Sequence, residues 1–185
     1  PMLGIHNVEN ATAALAVGLE AGAKLQDLAE ALEAFEGVSR RMHLRFQSPR
    51  MVYIDDYAHH PQELEAVILS VRAAYPDRFV TGIFQPHLFS RTRDFANGFR
   101  SSLAKLDALW LMDIYPAREK PIEGINSTWL LEGVSLKHKM MVQPEEVLEA
   151  LEHKLVEPGV LLSLGAGDID RLTRPITDWL NKEKL

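Results

Sequence analysis

Two spacings of apolar residues alternate along this chain and divide it. From Asn7 to Glu20 an alanine-rich stretch of high helix propensity runs up to Gly22. A second segment then sets Leu25, Leu28, Leu32 and Phe35 at offsets near the 3.6-residue period before Gly37. This predicts two helices. They are too few to enclose a core, so a partner is expected in the rest of the chain or upstream of Pro1. From Val38 onward short apolar runs take over. Leu44 and Phe46 alternate with His43, Arg45 and Gln47 as a half-exposed edge strand would, whereas Met51 to Ile54 is continuous and suits a strand covered on both faces. Similar runs recur at Phe79 to Phe84, Ala108 to Ile114, Lys139 to Val142 and Val160 to Leu164. Amphipathic stripes lie between and after them: Leu64, Val67, Ile68, Val71 and Tyr75; Phe95, Phe99, Leu103 and Leu106; Val147, Leu148, Leu151 and Leu155; Ile169, Leu172, Ile176 and Leu180. Repeated strand–helix–strand units joined by right-handed crossovers imply an α/β fold, a doubly wound, mostly parallel sheet with helices on both faces. The expected division is residues 1–38, the helical pair, and 39–185, the βα domain. No internal repeat or low-complexity tract interrupts it.

Composition narrows the class. The 185 residues are 46% hydrophobic and 25% charged, as in an ordinary globular protein with a buried core. With 20 basic and 26 acidic residues the net charge is −6, which argues against a broad nucleic-acid surface. The chain has no cysteine, hence no disulfide framework, zinc-thiolate site or thiol nucleophile, and this fits a cytoplasmic address. No apolar run approaches the ~20 residues that span a bilayer, and the N-terminus lacks the pattern of a signal peptide. A start at Pro1 without methionine suggests a piece of a longer protein.

In an open parallel sheet the ligand crevice lies beyond the carboxyl ends of the strands. Three of those ends carry chemistry here. After Ile54 comes Asp55-Asp56-Tyr57-Ala58-His59-His60-Pro61, with Pro61 suited to the first position of a helix. A carboxylate there could accept from a ribose. The same residues could bind zinc or manganese, or merely cap the helix and bond each other. After Phe84 comes Gln85-Pro86-His87-Leu88-Phe89-Ser90-Arg91-Thr92-Arg93-Asp94, whose guanidinium groups, placed ahead of a helix, suit an anionic substrate; the alternative is an exposed turn paired with Asp94. After Leu164, Gly165-Ala166-Gly167 resembles the start of a dinucleotide fingerprint but has Asp170 where the third glycine belongs, so close packing explains the glycines better. Outside the sheet, Asn7 and Asn10 share a helix face with His6 just before them. Their amides could read a purine edge, or Asn7 could cap the helix. Arg40 and Arg41, at the boundary, could reach a nucleotide phosphate or be solvated charge.

Taken in order, Gly4-Ile5-His6-Asn7-Val8-Glu9-Asn10-Ala11, Phe35-Glu36-Gly37-Val38-Ser39-Arg40-Arg41, Asp55 to Pro61, Gln85-Pro86-His87 with Ser90-Arg91-Thr92-Arg93-Asp94, Tyr115-Pro116-Ala117 and Gly165 to Ile169 closely resemble the Mur ligases of cell-wall synthesis. The resemblance spans nearly the whole chain. It implies that the first two helices end a central ATPase domain and that the remainder is a C-terminal Rossmann-like domain. It further implies an ATP-dependent ligase, within the family the member that joins L-alanine to UDP-N-acetylmuramate through an acyl phosphate, with magnesium offsetting the phosphate charge. By matching motif positions, Asn7 and Asn10 would meet the adenine side of ATP with His6 nearby, Asp56 the ribose, and Arg41 the phosphates. His59, His87 and Arg91 match positions associated with the incoming amino acid, Arg91 facing its carboxylate. Two departures stand out. Leu88 occupies a position that is often arginine, and Ala58 replaces a usual glycine. No Gly-x-x-Gly-Lys-Thr loop occurs, so the phosphate cradle and most magnesium ligands are expected outside these residues, and the chain alone is expected to be inactive. The competing readings are a related ligase that attaches a preformed murein peptide to the same sugar, a non-catalytic nucleotide-binding module, and a metal-dependent hydrolase built on Asp55, Asp56, His59 and His60.

Overall fold

The structure, a computed structural model, describes residues 4–35 and 37–183, with the side chains of Ile5 and His6 outside that description. The helical pair is α1 (Ile5–Glu20) and α2 (Leu25–Glu33). They pack at Gly18, where an added Cβ would stand 2.7 Å from Leu28. The stripe expected on α2 is only partly realised. The helix ends at Glu33, and Phe35 lies beyond it, 47% exposed.

The strands β1 (His43–Gln47), β2 (Met51–Asp56), β3 (Phe79–Phe84), β4 (Ala108–Leu111), β5 (His138–Met141) and β6 (Gly159–Leu164) form one sheet in the order β1-β2-β6-β3-β4-β5. β1 runs antiparallel at the edge, with a bulge between Leu44 and Phe46, and the other pairings are parallel. The doubly wound sheet expected from the apolar runs is therefore what forms. Two-residue alternation sorts its side chains. Val52, Ile54, Val160, Leu162 and Leu164 enter one core with α3 (Pro61–Ala74), α5 (Ala96–Leu103) and α6 (Ser127–Glu132). Met51, Tyr53 and Leu161 enter the other with α7 (Val147–Lys154) and α8 (Thr173–Lys182).

Three elements depart from the pattern. The stripe from Phe95 to Leu106 is not one helix, because Phe95, at φ −111° and ψ 19°, breaks it into α4 (Phe89–Asp94) and α5. Phe95 is 45% exposed and sets its ring 4.7 Å from that of His60. The short α6 has no matching apolar stripe; Asn126 Oδ1 caps it by accepting from Trp129 N at 2.8 Å. The final stripe begins in a 3-10 turn (Asp168–Leu172) before α8, although Ile169, Leu172, Ile176 and Leu180 are all buried as expected.

Candidate functional site

Asp56, Leu164 and Phe84 end three neighbouring strands in register. The helices that follow β2 and β3 cover one face and the chain after β6 turns to the other. Loops that part in this way leave a crevice at the strand ends. Asp55 and Asp56 point to opposite faces because they are consecutive strand residues. Asp55, fully buried, accepts from Ser163 Oγ at 2.7 Å and lies 3.4 Å from Arg40 Nε and 3.6 Å from Arg45 Nη2. Asp56 turns the other way, accepting from Met42 N at 2.6 Å and Ala58 N at 2.7 Å. Burial raises its pKa above the ordinary carboxylate value, and the two backbone donors oppose that rise.

Asp56 lines a groove of about 1400 Å³ between α1–α2 and the start of α3, together with Asn7, Asn10, Leu32, Arg41 and Gln62. Amides, a carboxylate and a guanidinium along an apolar wall offer both the donors and the acceptors that suit a purine nucleotide. Asn7 does not cap α1. The helix starts at Ile5 with Gly4 before it, and Asn7 is buried within the first turn. The side chain of His6, and all of Glu36, lie outside the described residues.

His59, His87, Arg91 and Tyr115 gather beside the groove. His87 and Tyr115 form an isolated parallel bridge that prolongs β3 and β4, and their rings stack at 5.7 Å. His59 lies edge-on to His87 at 6.0 Å and to Tyr57 at 5.3 Å. Tyr57 joins the two regions, since Arg40 and Arg41 also sit over its ring, at 5.1 and 5.5 Å. Hydrogen bonds fix the tautomers. His59 Nδ1 donates to the carbonyl of Tyr57 at 3.0 Å, leaving the lone pair of the neutral ring on Nε2. His87 Nδ1 lies 3.4 Å from Arg91 Nη1, which can only donate, so the proton of His87 is on Nε2. Burial, with the charge of the neighbouring Arg91, pushes the pKa of His87 below its ordinary value.

Arg91 does not precede a helix as the sequence suggested but lies inside α4. Its carboxylate environment differs from that of Arg93, whose Nε bonds Asp94 Oδ1 at 2.7 Å in the exposed pairing considered above. Arg91 has no such partner among the described residues. Glu119 is near, but it accepts from Ser90 N at 2.9 Å and from Ser90 Oγ; these bonds, with Arg91, hold its carboxyl below the usual range. Leu88, at φ 73°, occupies the left-handed region, yet its amide bonds Tyr115 O at 2.9 Å and its carbonyl accepts from Thr92. The metal reading loses its geometry: Asp55 and Asp56 diverge, His60 packs on Phe95, and among the described residues no group of three or more His, Asp or Glu side chains could hold a metal ion. The glycines after β6 are packing residues. A Cβ on Gly165, at φ 142°, would stand 2.8 Å from Gln85 O. Residue type alone does not single out Tyr57, Tyr115 or Glu119, although Tyr57 directly follows β2 and Tyr115 the apolar run that ends at Ile114.

The sequence profile described as "Mur ligase, glutamate ligase domain" matches residues 40–167. The chain belongs to the Mur ligase family. It is 48% identical over 180 residues to the UDP-N-acetylmuramate–L-alanine ligase of Flavobacterium psychrophilum, covering 97% of this chain and 40% of that one. Among solved structures it resembles the UDP-N-acetylmuramate-alanine ligase of Thermotoga maritima, with TM-score 0.79 and 27% identity over 97% of this chain and 39% of the other. It also shares its fold with the MurF ligase of Thermotoga maritima solved in complex with ADP, at TM-score 0.69 and 18% identity, over 99% of this chain and 40% of that one. The chain thus spans about two-fifths of the length of these Mur ligase relatives. Among the described residues no helix is long and apolar enough to cross a membrane.

Proposed function

We propose that this chain is the C-terminal part of an ATP-dependent ligase that joins L-alanine to UDP-N-acetylmuramate in peptidoglycan synthesis. What supports the reading most is the 48% identity, over 97% of the chain, to a ligase of that name. In this reading residues 1–38 close a central ATPase domain and 39–185 form the C-terminal domain. The groove takes the adenosine of ATP, with Asn7 and Asn10 toward the base, Asp56 toward the ribose and Arg41 toward the phosphates. ATP supplies the phosphoryl group that activates the sugar carboxylate, and magnesium, held mostly outside these residues, offsets its charge.

The residues around His87 take the amino acid. Arg91 grips its carboxylate with a planar fork, and the Nε2–H of His87 adds a neutral donor to the same group. His59, whose Nε2 carries the lone pair, is the acceptor available to the ammonium, which must lose one proton to become the attacking amine. Because β2, β3 and β6 end in register, one rigid sheet edge carries both subsites, which is the proximity that joining two bound reactants requires. Competition between free alanine and a murein tripeptide in the complete ligase tests the reading. Incorporation of alanine alone is expected. Preference for the tripeptide would transfer the chain to the peptide-attaching branch, and absence of ATP turnover would leave only a binding module.

A further inference from the structure

Arg41 lines the groove, while its neighbour Arg40 does not. The backbone separates them. Arg40 and Met42 have φ of 58° and 47°, in the left-handed region that residues with a Cβ rarely occupy. Such a turn persists only where its surroundings over-determine it. Here Arg40 O accepts from Tyr57 N at 2.8 Å, and Met42 N donates to the Asp56 carboxylate, so the turn and the groove's carboxylate hold each other.

The side chain of Arg40, 16% exposed, turns to the strand ends. Nη2 donates to Gly165 O at 2.6 Å, Nε lies 3.4 Å from the buried Asp55 carboxylate, and Nη1 lies 3.8 Å from Asp170. One planar fork therefore ties the turn to β2, to the loop after β6 and to the 3-10 turn. That loop is also bonded to the groove carboxylate's own backbone, Gly165 N to Asp56 O at 3.2 Å. A lysine ammonium, a point charge on a flexible stem, cannot meet three such directions together.

We propose that Arg40 is a positioning residue for the nucleotide: its guanidinium faces away from the groove and holds the turn that presents Arg41 and the Asp56 carboxylate to it. The inference rests on the ligase reading above. Its test uses the complete ligase with Arg40→Lys, Arg40→Met, and Arg40→Met combined with Asp55→Asn, which removes both charges of that pair. ADP affinity is measured by calorimetry, beside Tm, kcat and the KM values for ATP and alanine. All three variants are expected to weaken ADP binding and raise KM for ATP by about tenfold or more. At saturating ATP, kcat and KM for alanine should stay within about twofold. The double variant should regain the Tm lost by Arg40→Met without regaining ADP affinity. Recovery of ADP affinity together with Tm would show that Arg40 only stabilises the fold, and unchanged ADP affinity in Arg40→Lys and the double variant would equally overturn the proposal. If Arg40→Met alone does not fold, those two variants carry the comparison. An unsubstituted enzyme that fails to bind ADP sinks the ligase reading and this inference with it, an outcome separate from normal binding by every variant.

Discussion

Replacing Asp56 by asparagine preserves the shape of the side chain and removes one of its two acceptors. In the native chain Asp56, only 3% exposed, receives Met42 N on one oxygen and Ala58 N on the other, at 2.6 and 2.7 Å. An asparagine offers one oxygen and one NH2, so one of these backbone donors faces another donor. A lost hydrogen bond to a charged group costs about 1.5–3 kcal/mol, and a buried N–H left without an acceptor about 1–3 kcal/mol more. Working against this, burial disfavours the carboxylate, as its raised pKa records, and a neutral amide recovers part of that desolvation. The net expected loss is about 2–4 kcal/mol of folding stability. Guanidinium unfolding followed by circular dichroism measures it, as a lower midpoint at unchanged slope. A loss below about 0.5 kcal/mol, the level of an ordinary surface substitution, would show instead that Asp56 does not hold the 40–42 turn.

Lys139 spends all three ammonium protons on carbonyls at the end of α6, those of Leu131, Glu132 and Val134 at 2.9, 3.1 and 2.6 Å. Lys139→Met should cost about 1.5–3 kcal/mol in the same unfolding assay, and an unchanged midpoint would mean that water replaces it. His87 has a pKa lowered from 6.5, so the native chain binds its proton more weakly than the unfolded chain. Acidification from that value through the folded pKa must therefore reduce native stability, and His87→Gln should show a smaller loss than wild type between pH 7.5 and pH 5. Equal losses would place the acid-sensitive group elsewhere.

The sheet was legible because its inner strands are apolar on both faces, and the run from Phe79 to Phe84 marks β3 at both ends. The opposite facing of Asp55 and Asp56 follows from two-residue alternation alone. Phe95 was not legible. Its apolar side chain fits the helical stripe, and only its backbone conformation and its contact with His60 take it out. Arg40 was less legible still, since its carbonyl partner on Gly165 lies 125 positions away and is brought near by the register of β2 and β6. Motif likeness placed Asn7, Asn10, Arg41 and Asp56 together, and the structure gives them one groove. Nothing in residue spacing distinguished Arg91 from Arg93. The difference is Ser90, which occupies Glu119 on one side of α4, while Asp94 pairs with its own neighbour.

In the proposed ligase Arg91 presents the amino-acid carboxylate to the reaction, a role that Arg91→Lys in the complete enzyme puts to the test. Lysine keeps the charge but loses the two parallel donors. The expected result is a loss of about 1.5–3 kcal/mol, roughly ten- to a hundredfold in kcat/KM for alanine, with KM for ATP little changed. Alanine kinetics left intact, or alanine and ATP harmed alike, would rule out that role and make Arg91 a structural residue of α4.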